Sequence, residues 1–190
     1  PAPFSARVYA LLATTANSLA AIEWAVFDKK LLTMEDLMRH LRSNYADAED
    51  LRLQLLNKAP KYGAGNSKAD EIALWVMNLL NDQSRKHKRP MDGGTYRPLM
   101  ISAGTQVMGG RILGATPDGR KAGEAVSNGI SPSNGTESQG MTTALRSVAK
   151  VSEPKFSGGT ALNVTINPTT IKTDEGLEKF ASMVEAYFEL

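Results

Sequence analysis

The residues most able to do chemistry sit in one glycine-rich stretch, residues 109–132, and its first reading is as a phosphate site. Residues 114–121 spell Gly-Ala-Thr-Pro-Asp-Gly-Arg-Lys. A phosphate-binding loop has that glycine spacing but ends in Lys-Ser or Lys-Thr, whose ammonium and hydroxyl meet phosphate and magnesium, and it joins a strand to a helix. Both features are missing, so nucleotide binding is set aside. The chain has two histidines, His40 and His87, too far apart for a histidine pair of metal-ligand spacing, and no metal site is expected from these residues. It has no cysteine, which removes disulfides, thiolate metal sites and any thiol nucleophile or thiyl radical from these 190 residues. No catalytic residue is assigned. What remains is turn chemistry at Thr116, Pro117, Asp118, Gly119 and Arg120. Proline presets φ, glycine admits a positive φ, an aspartate accepts from amides two residues on, and a guanidinium can hold several carbonyls at once. The loop is therefore expected to be held by bonds to its own backbone, with Asp118 and Arg120 as its main polar anchors, and to brace its surroundings instead of fluctuating as a lid.

Longer spellings around this turn carry a resemblance. Gly-Ala-Thr-Pro-Asp-Gly-Arg-x-Ala-Gly, followed by Ser-x-Gly-Ile-Ser-Pro-Ser-x-Gly, resembles the long loop in the catalytic domain of glycyl radical enzymes, the relatives of pyruvate formate-lyase and the cobalamin-independent glycerol dehydratases. Three further blocks extend the resemblance in order: Asn17-Ser18-Leu19-Ala20-Ala21-Ile22, Ala59-Pro60-Lys61-Tyr62-Gly63, and residues 140–150 with Ser147-Val148-Ala149-Lys150. The family segment after Pro-Lys-Tyr-Gly usually continues Asn-Asp, where this chain has Ala64-Gly65-Asn66.

The resemblance implies an α/β fold, a fragment of a ten-stranded barrel made of two antiparallel half-barrels, with residues 1–190 as one partial catalytic domain. It implies a parent enzyme in which a glycyl radical, installed by a partner activating enzyme that uses S-adenosylmethionine and an iron-sulfur cluster, oxidises a cysteine that then abstracts hydrogen from substrate. The cysteine loop and the Arg-Val-x-Gly-Tyr radical loop of that family are not spelled here, so the chain alone is expected to be inactive, with no cofactor of its own. The remainder of the catalytic domain, the activating enzyme and a second copy of the full-length enzyme are its implied partners. Ile101, Ser102, Ala103, Gly104 and Thr105 are implied to line the substrate pocket, where small side chains leave room for an inserted loop. Residues 92–98 and Ser-Asn-Gly-Ile-Ser-Pro-Ser-Asn-Gly look nearer the glycerol and diol dehydratase branch than the formate acetyltransferase branch. The alternative is a noncatalytic chain whose first and last helices pack against another polypeptide.

Composition is consistent with an ordinary domain. The chain has 190 residues and a formal charge of +2 with both signs intermixed, which gives no field favouring nucleic acid or an anionic membrane. It holds no apolar run of the roughly 18 residues a bilayer span needs and no signal peptide, so a cytoplasmic protein is expected.

The elements that must position the loop follow from periodicity. Leu19, Ile22 and Val26 mark a helix over 15–27, widened by Trp24 and Phe27. Thr33 and Asp36 form an acidic capping box opening a second helix, and 47–57 reads as a third. Ser67 caps a fourth with Asp70 in its first turn, and its apolar face is Ile72, Trp75, Val76, Leu79 and Leu80. The basic run 85–89 suits a helix C-terminus. Alternation predicts a strand over 97–107 and another over 160–167, with 101–105 and 163–167 side by side and the helical connection favouring parallel pairing. A helix from Thr142 or Thr143 to Val151 and a last helix over 174–188 complete the chain.

Overall fold

The computed structural model describes residues 5–7, 11–65, 67–101, 104–136, 139–152 and 159–189. A short strand β1 (Ser5–Arg7) precedes α1 (Leu12–Ile22), which continues as a π-helical segment (Glu23–Asp28). Then come α2 (Met34–Arg42), α3 (Glu49–Asn57), α4 (Ser67–Lys86), β2 (Arg97–Leu99), α5 (Thr105–Ile112), α6 (Met141–Val151), a 3-10 turn (Pro168–Ile171) and α7 (Asp174–Glu189). β1 and β2 pair in parallel, Ser5 opposite Arg97 and Arg7 opposite Leu99, and Met100 bridges Thr160, also in parallel.

Capping explains where α2 starts. The Asp36 amide donates to Thr33 Oγ1 at 3.1 Å and the Thr33 amide returns a bond to Asp36 Oδ2 at 3.4 Å, so two amides that lack helical partners are satisfied reciprocally. The basic run is split. Arg85 and Lys86 close α4, while Arg89 pairs with Asp92 at 2.5 Å across a turn.

Two apolar clusters hold these elements. The larger gathers Leu12, Ala13, Ala16 and Ala20 of α1, Ala69, Ala73, Val76 and Met77 of α4, and Val148 and Val151 of α6, together with Tyr62, Met100 and Ile130. The smaller lies under α2 and α3 and contains Ala21, Ala25, Leu37, Tyr45, Leu55 and Ala59. The packing face of α4 is thus rotated from the expected one: Val76 is buried and Ile72 and Leu80 are partly so, but Trp75 is 59% exposed and Leu79 is also exposed. The cause is small side chains. Alanines at 13, 16 and 20 face alanines at 69 and 73, which lets the backbones of α1 and α4 approach, and bulk at 75 and 79 is turned outward. The same choice leaves Leu19 and Phe27 exposed on the first helix.

The expected strands are shorter than alternation suggested. β2 ends at Leu99, and Gly104, at φ 78°, turns the chain so that Thr105 opens α5 instead of extending a strand. The Ala161 amide donates to the Met100 carbonyl at 2.9 Å, and the Met100 amide donates to Gly159 at 3.1 Å. Pairing therefore occurs at Met100 and Thr160, in the parallel sense, and among the described residues none joins 101–105 to 163–167. Beyond it the Asn163 amide is taken by Ser131 Oγ at 2.9 Å, so the loop, not a strand, occupies that edge.

α7 has no buried residue. Phe180, Met183, Val184, Tyr187 and Phe188 face Leu145, Ala149, Leu162 and Val164 across an open apolar groove.

Candidate functional site

Residues 113–136 follow α5 as a long connection that touches both clusters: Ala115 packs on the smaller and Ile130 is fully buried in the larger. Its first limb is the Thr116–Arg120 turn. The Gly119 amide donates to the Thr116 carbonyl at 3.1 Å and the Thr116 amide to the Arg120 carbonyl at 3.0 Å. Asp118 Oδ1 accepts from Thr116 Oγ1 at 2.6 Å and from the Arg120 amide at 3.4 Å. The buried Arg120 guanidinium donates to the carbonyls of Lys121 (2.9 Å), Glu124 (2.7 Å) and Gly114, and to Thr116 Oγ1 at 3.2 Å. One side chain thereby closes the whole turn. Gly119 has φ 93°, and a Cβ there would stand 2.9 Å from the Arg52 carbonyl and the Leu56 amide of α3, so both conformation and space require glycine.

The helical side of the molecule grips this limb through its backbone. Tyr45 Oη donates to the Thr116 carbonyl at 2.8 Å, Arg52 Nη1 to Gly119 at 3.1 Å and Lys61 Nζ to Asp118 at 2.9 Å, while Asn44 Oδ1 accepts from the Ala122 amide at 2.8 Å. Sequence reasoning gave none of these four a role. Only Lys61 left a signal, as a cation within the Ala-Pro-Lys-Tyr-Gly block. Arg52 is itself held by Glu49, and hydrogen bonds from Arg52 and then Lys121 lower the Glu49 carboxyl to about 2. Burial lowers the Lys61 ammonium from 10.5 to about 8, with Asp118 acting in the opposite sense, and burial raises the Tyr45 phenol.

The second limb is tied to α1 and to the Tyr62 turn. Asn17 Oδ1 accepts from the Tyr62 amide at 2.7 Å, and Asn17 Nδ2 donates to Ser133 Oγ at 3.3 Å. Tyr62 Oη donates to the Ile130 carbonyl at 3.1 Å, and Thr136 Oγ1 donates to the Tyr62 carbonyl at 3.3 Å. Burial raises the Tyr62 phenol well above its usual value, with Asp70 adding to the shift. Gly63, at φ 89°, lies where a Cβ would be 2.4 Å from the Pro132 ring. Asp70 is buried and turned inward, accepting from Ser147 Oγ at 2.8 Å and from the Gly63 amide at 3.4 Å, and so joins the block at 140–150 to the same unit.

Between the limbs lies a cleft of about 490 Å³, walled by Asp118, Arg120 and Glu124 on one side and by Pro132, Ser133 and Asn134 on the other. Gln106 and Val107 reach this wall; Ile101, Gly104 and Thr105 do not. Ile101 is half-buried, Gly104 is exposed and Thr105 is half-buried at the start of α5, while Ser102 and Ala103 lie outside the described residues. Among the described residues no group of three or more His, Asp or Glu side chains could hold a metal ion, and no helix is long and apolar enough to cross a membrane.

Four separate sequence blocks thus converge on one hydrogen-bonded unit, and comparison with known proteins places that unit in a family. The family model described as Pyruvate formate lyase-like matches residues 4–110. The chain belongs to the pyruvate formate lyase-like family. A second model, described as Glycine radical, matches residues 126–190, so the Thr116–Arg120 turn lies in the stretch between the two matches and the Ile130 limb lies in the second. Trans-4-hydroxy-L-proline dehydratase from Clostridioides difficile is 37% identical over 180 residues, covering 94% of this chain and 22% of the dehydratase. Isethionate sulfite-lyase from Nitratidesulfovibrio vulgaris is 34% identical over 179 residues, 93% of this chain and 21% of the lyase. The glycerol-bound B12-independent glycerol dehydratase from Clostridium butyricum superposes with a TM-score of 0.89 at 32% identity, covering 94% of this chain and 22% of that one. The chain spans about a fifth of the length of these glycyl radical relatives.

Proposed function

We propose that these residues form part of the catalytic domain of an anaerobic glycyl radical enzyme, a dehydratase or lyase acting on a small hydroxylated substrate. The observation that carries this reading is the convergence of the four family blocks on one braced loop, in a chain similar over 94% of its length to a glycyl radical dehydratase. Formate acetyltransferase chemistry is the less favoured form, because the relatives reported above are dehydratases and a lyase.

No thiol is present in the 190 residues and the Arg-Val-x-Gly-Tyr pattern is not spelled among them, so no radical step is assigned to a residue of this chain. Its part is structural: to supply a section of the wall around the reacting centre, with Ile101, Ser102, Ala103, Gly104 and Thr105 on the substrate side. In the family architecture that section is a fraction of a ten-stranded barrel, to which the parallel series β1, β2 and Thr160 corresponds. The exposed apolar side chains of α7 suit burial against the remainder of the catalytic domain. A cytoplasmic homodimer, charged by an S-adenosylmethionine and iron-sulfur activating enzyme, completes the reading.

Anaerobic treatment of the complete polypeptide with an activating enzyme and S-adenosylmethionine tests it. A glycyl radical doublet in the electron paramagnetic resonance spectrum, with dehydration or cleavage of a hydroxylated substrate, is expected. Absence of the radical under conditions that charge a known family member overturns the proposal.

A further inference from the structure

Lys61, Tyr62 and Gly63 are consecutive, yet they hold opposite limbs of the loop. The Lys61 ammonium reaches back, donating to the Leu55 carbonyl at 2.8 Å and to the Asp118 carbonyl at 2.9 Å. The Tyr62 phenol reaches forward to Ile130, and Gly63 seats Pro132. The Leu55 carbonyl belongs to the last turn of α3, where carbonyls lack partners within the helix and cations are favoured. Lys61 therefore closes the helix and the turn with one group. The residue is only 8% exposed, and among the described residues no carboxylate hydrogen-bonds to it, so its charge is balanced by two carbonyl dipoles and by the nearby Asp118. A buried cation costs desolvation that a methionine of similar length would avoid, so its presence here calls for a job that a methionine could not do.

That job is visible in what separates the two limbs. The cleft has Asp118 on the first limb and Pro132 and Ser133 on the second, with Leu56 of α3 and Thr14 of α1 also in its lining, so its width follows from where each limb is fixed. We propose that Lys61 is a positioning residue for the reaction of the complete enzyme: by fixing the Asp118 limb to the end of α3 while Tyr62 fixes the Ile130 limb, it sets the width of this cleft and the register of the wall behind it. The inference rests on the function proposed above.

The test compares Lys61→Met and Tyr62→Phe with the parent in the complete polypeptide, reading amide hydrogen exchange, the melting midpoint, and turnover of glycerol or trans-4-hydroxy-L-proline. In Lys61→Met, exchange across 116–122 rises at least tenfold while 160–167 is unchanged, and kcat falls at least tenfold with the midpoint nearly kept. In Tyr62→Phe the increase moves to 128–136. A merely structural lysine would lower the midpoint and leave the kcat of the folded fraction intact. Unchanged exchange across 116–122, or faster exchange there with kcat unaltered, overturns the proposal. If the parent forms no glycyl radical, the proposed function is what fails, and the exchange pattern still decides whether Lys61 fixes the limb.

Discussion

Thr14 and Ser127, 113 residues apart, exchange a pair of buried hydrogen bonds: the Thr14 amide donates to Ser127 Oγ at 3.0 Å, and the Ser127 amide donates to Thr14 Oγ1 at 2.9 Å. α1 has no side-chain cap of its own at Leu11, so the loop supplies the missing acceptor for its first turn. Ser127→Ala leaves the Thr14 amide buried without a partner and should cost about 1–2 kcal/mol by urea unfolding. A change within error would mean that water replaces the hydroxyl.

Two glycines of the loop separate conformation from contact. Gly119 and Gly123 both have positive φ, 93° and 86°, but a Cβ at Gly119 meets α3 at 2.9 Å whereas one at Gly123 has nothing within 4 Å. Gly123→Ala should cost on the order of 1 kcal/mol from backbone strain alone, and Gly119→Ala at least about 1 kcal/mol more. Equal losses would show that α3 yields to the added methyl.

The buried titratable groups give stability a maximum in alkali. Lys61 has its folded pKa lowered to about 8, so between pH 8 and its unfolded value of 10.5 the unfolded chain binds the extra proton. The cost of the buried charge is fully present below pH 8, and stability rises with pH above it by up to about 1.4 kcal/mol per unit. Tyr45 and Tyr62 have folded values raised above 10.0, so above that pH the unfolded chain loses protons that the folded chain keeps, and stability falls. Urea midpoints should therefore climb from pH 8 toward pH 10 and decline beyond it, and the climb should vanish in Lys61→Met.

Much of this was legible in sequence where the physics is local. The Thr33 and Asp36 box, the span of α3 and the hydrogen bonds of Asp118 with its own turn all depend on residues within a few positions of one another. Faces and partners were less legible. Alanines at 13, 16, 69 and 73 decide how α1 meets α4, and a periodicity count weighted toward large side chains reads Trp75 as inward. The strand expected over 97–107 begins as expected but ends at Leu99, because the alternation runs on through Gly104, whose positive φ turns the chain into α5. Asn44, Tyr45, Arg52 and Lys61 were silent because each acts on backbone atoms 57–78 residues away, and a backbone carbonyl or amide carries no sequence signature.

The claim that the family blocks form one brace around the loop is tested most directly at Arg120, whose guanidinium holds three carbonyls and a hydroxyl. Arg120→Ala leaves those partners without a donor, a loss of roughly 2–4 kcal/mol. For a unit of this size, that is a fall in melting midpoint of about 5–15 °C. Thermal unfolding of Arg120→Ala beside the parent protein should show that fall, with hydrogen exchange rising across 113–125 before any other segment; a midpoint and exchange pattern unchanged from the parent would contradict the account.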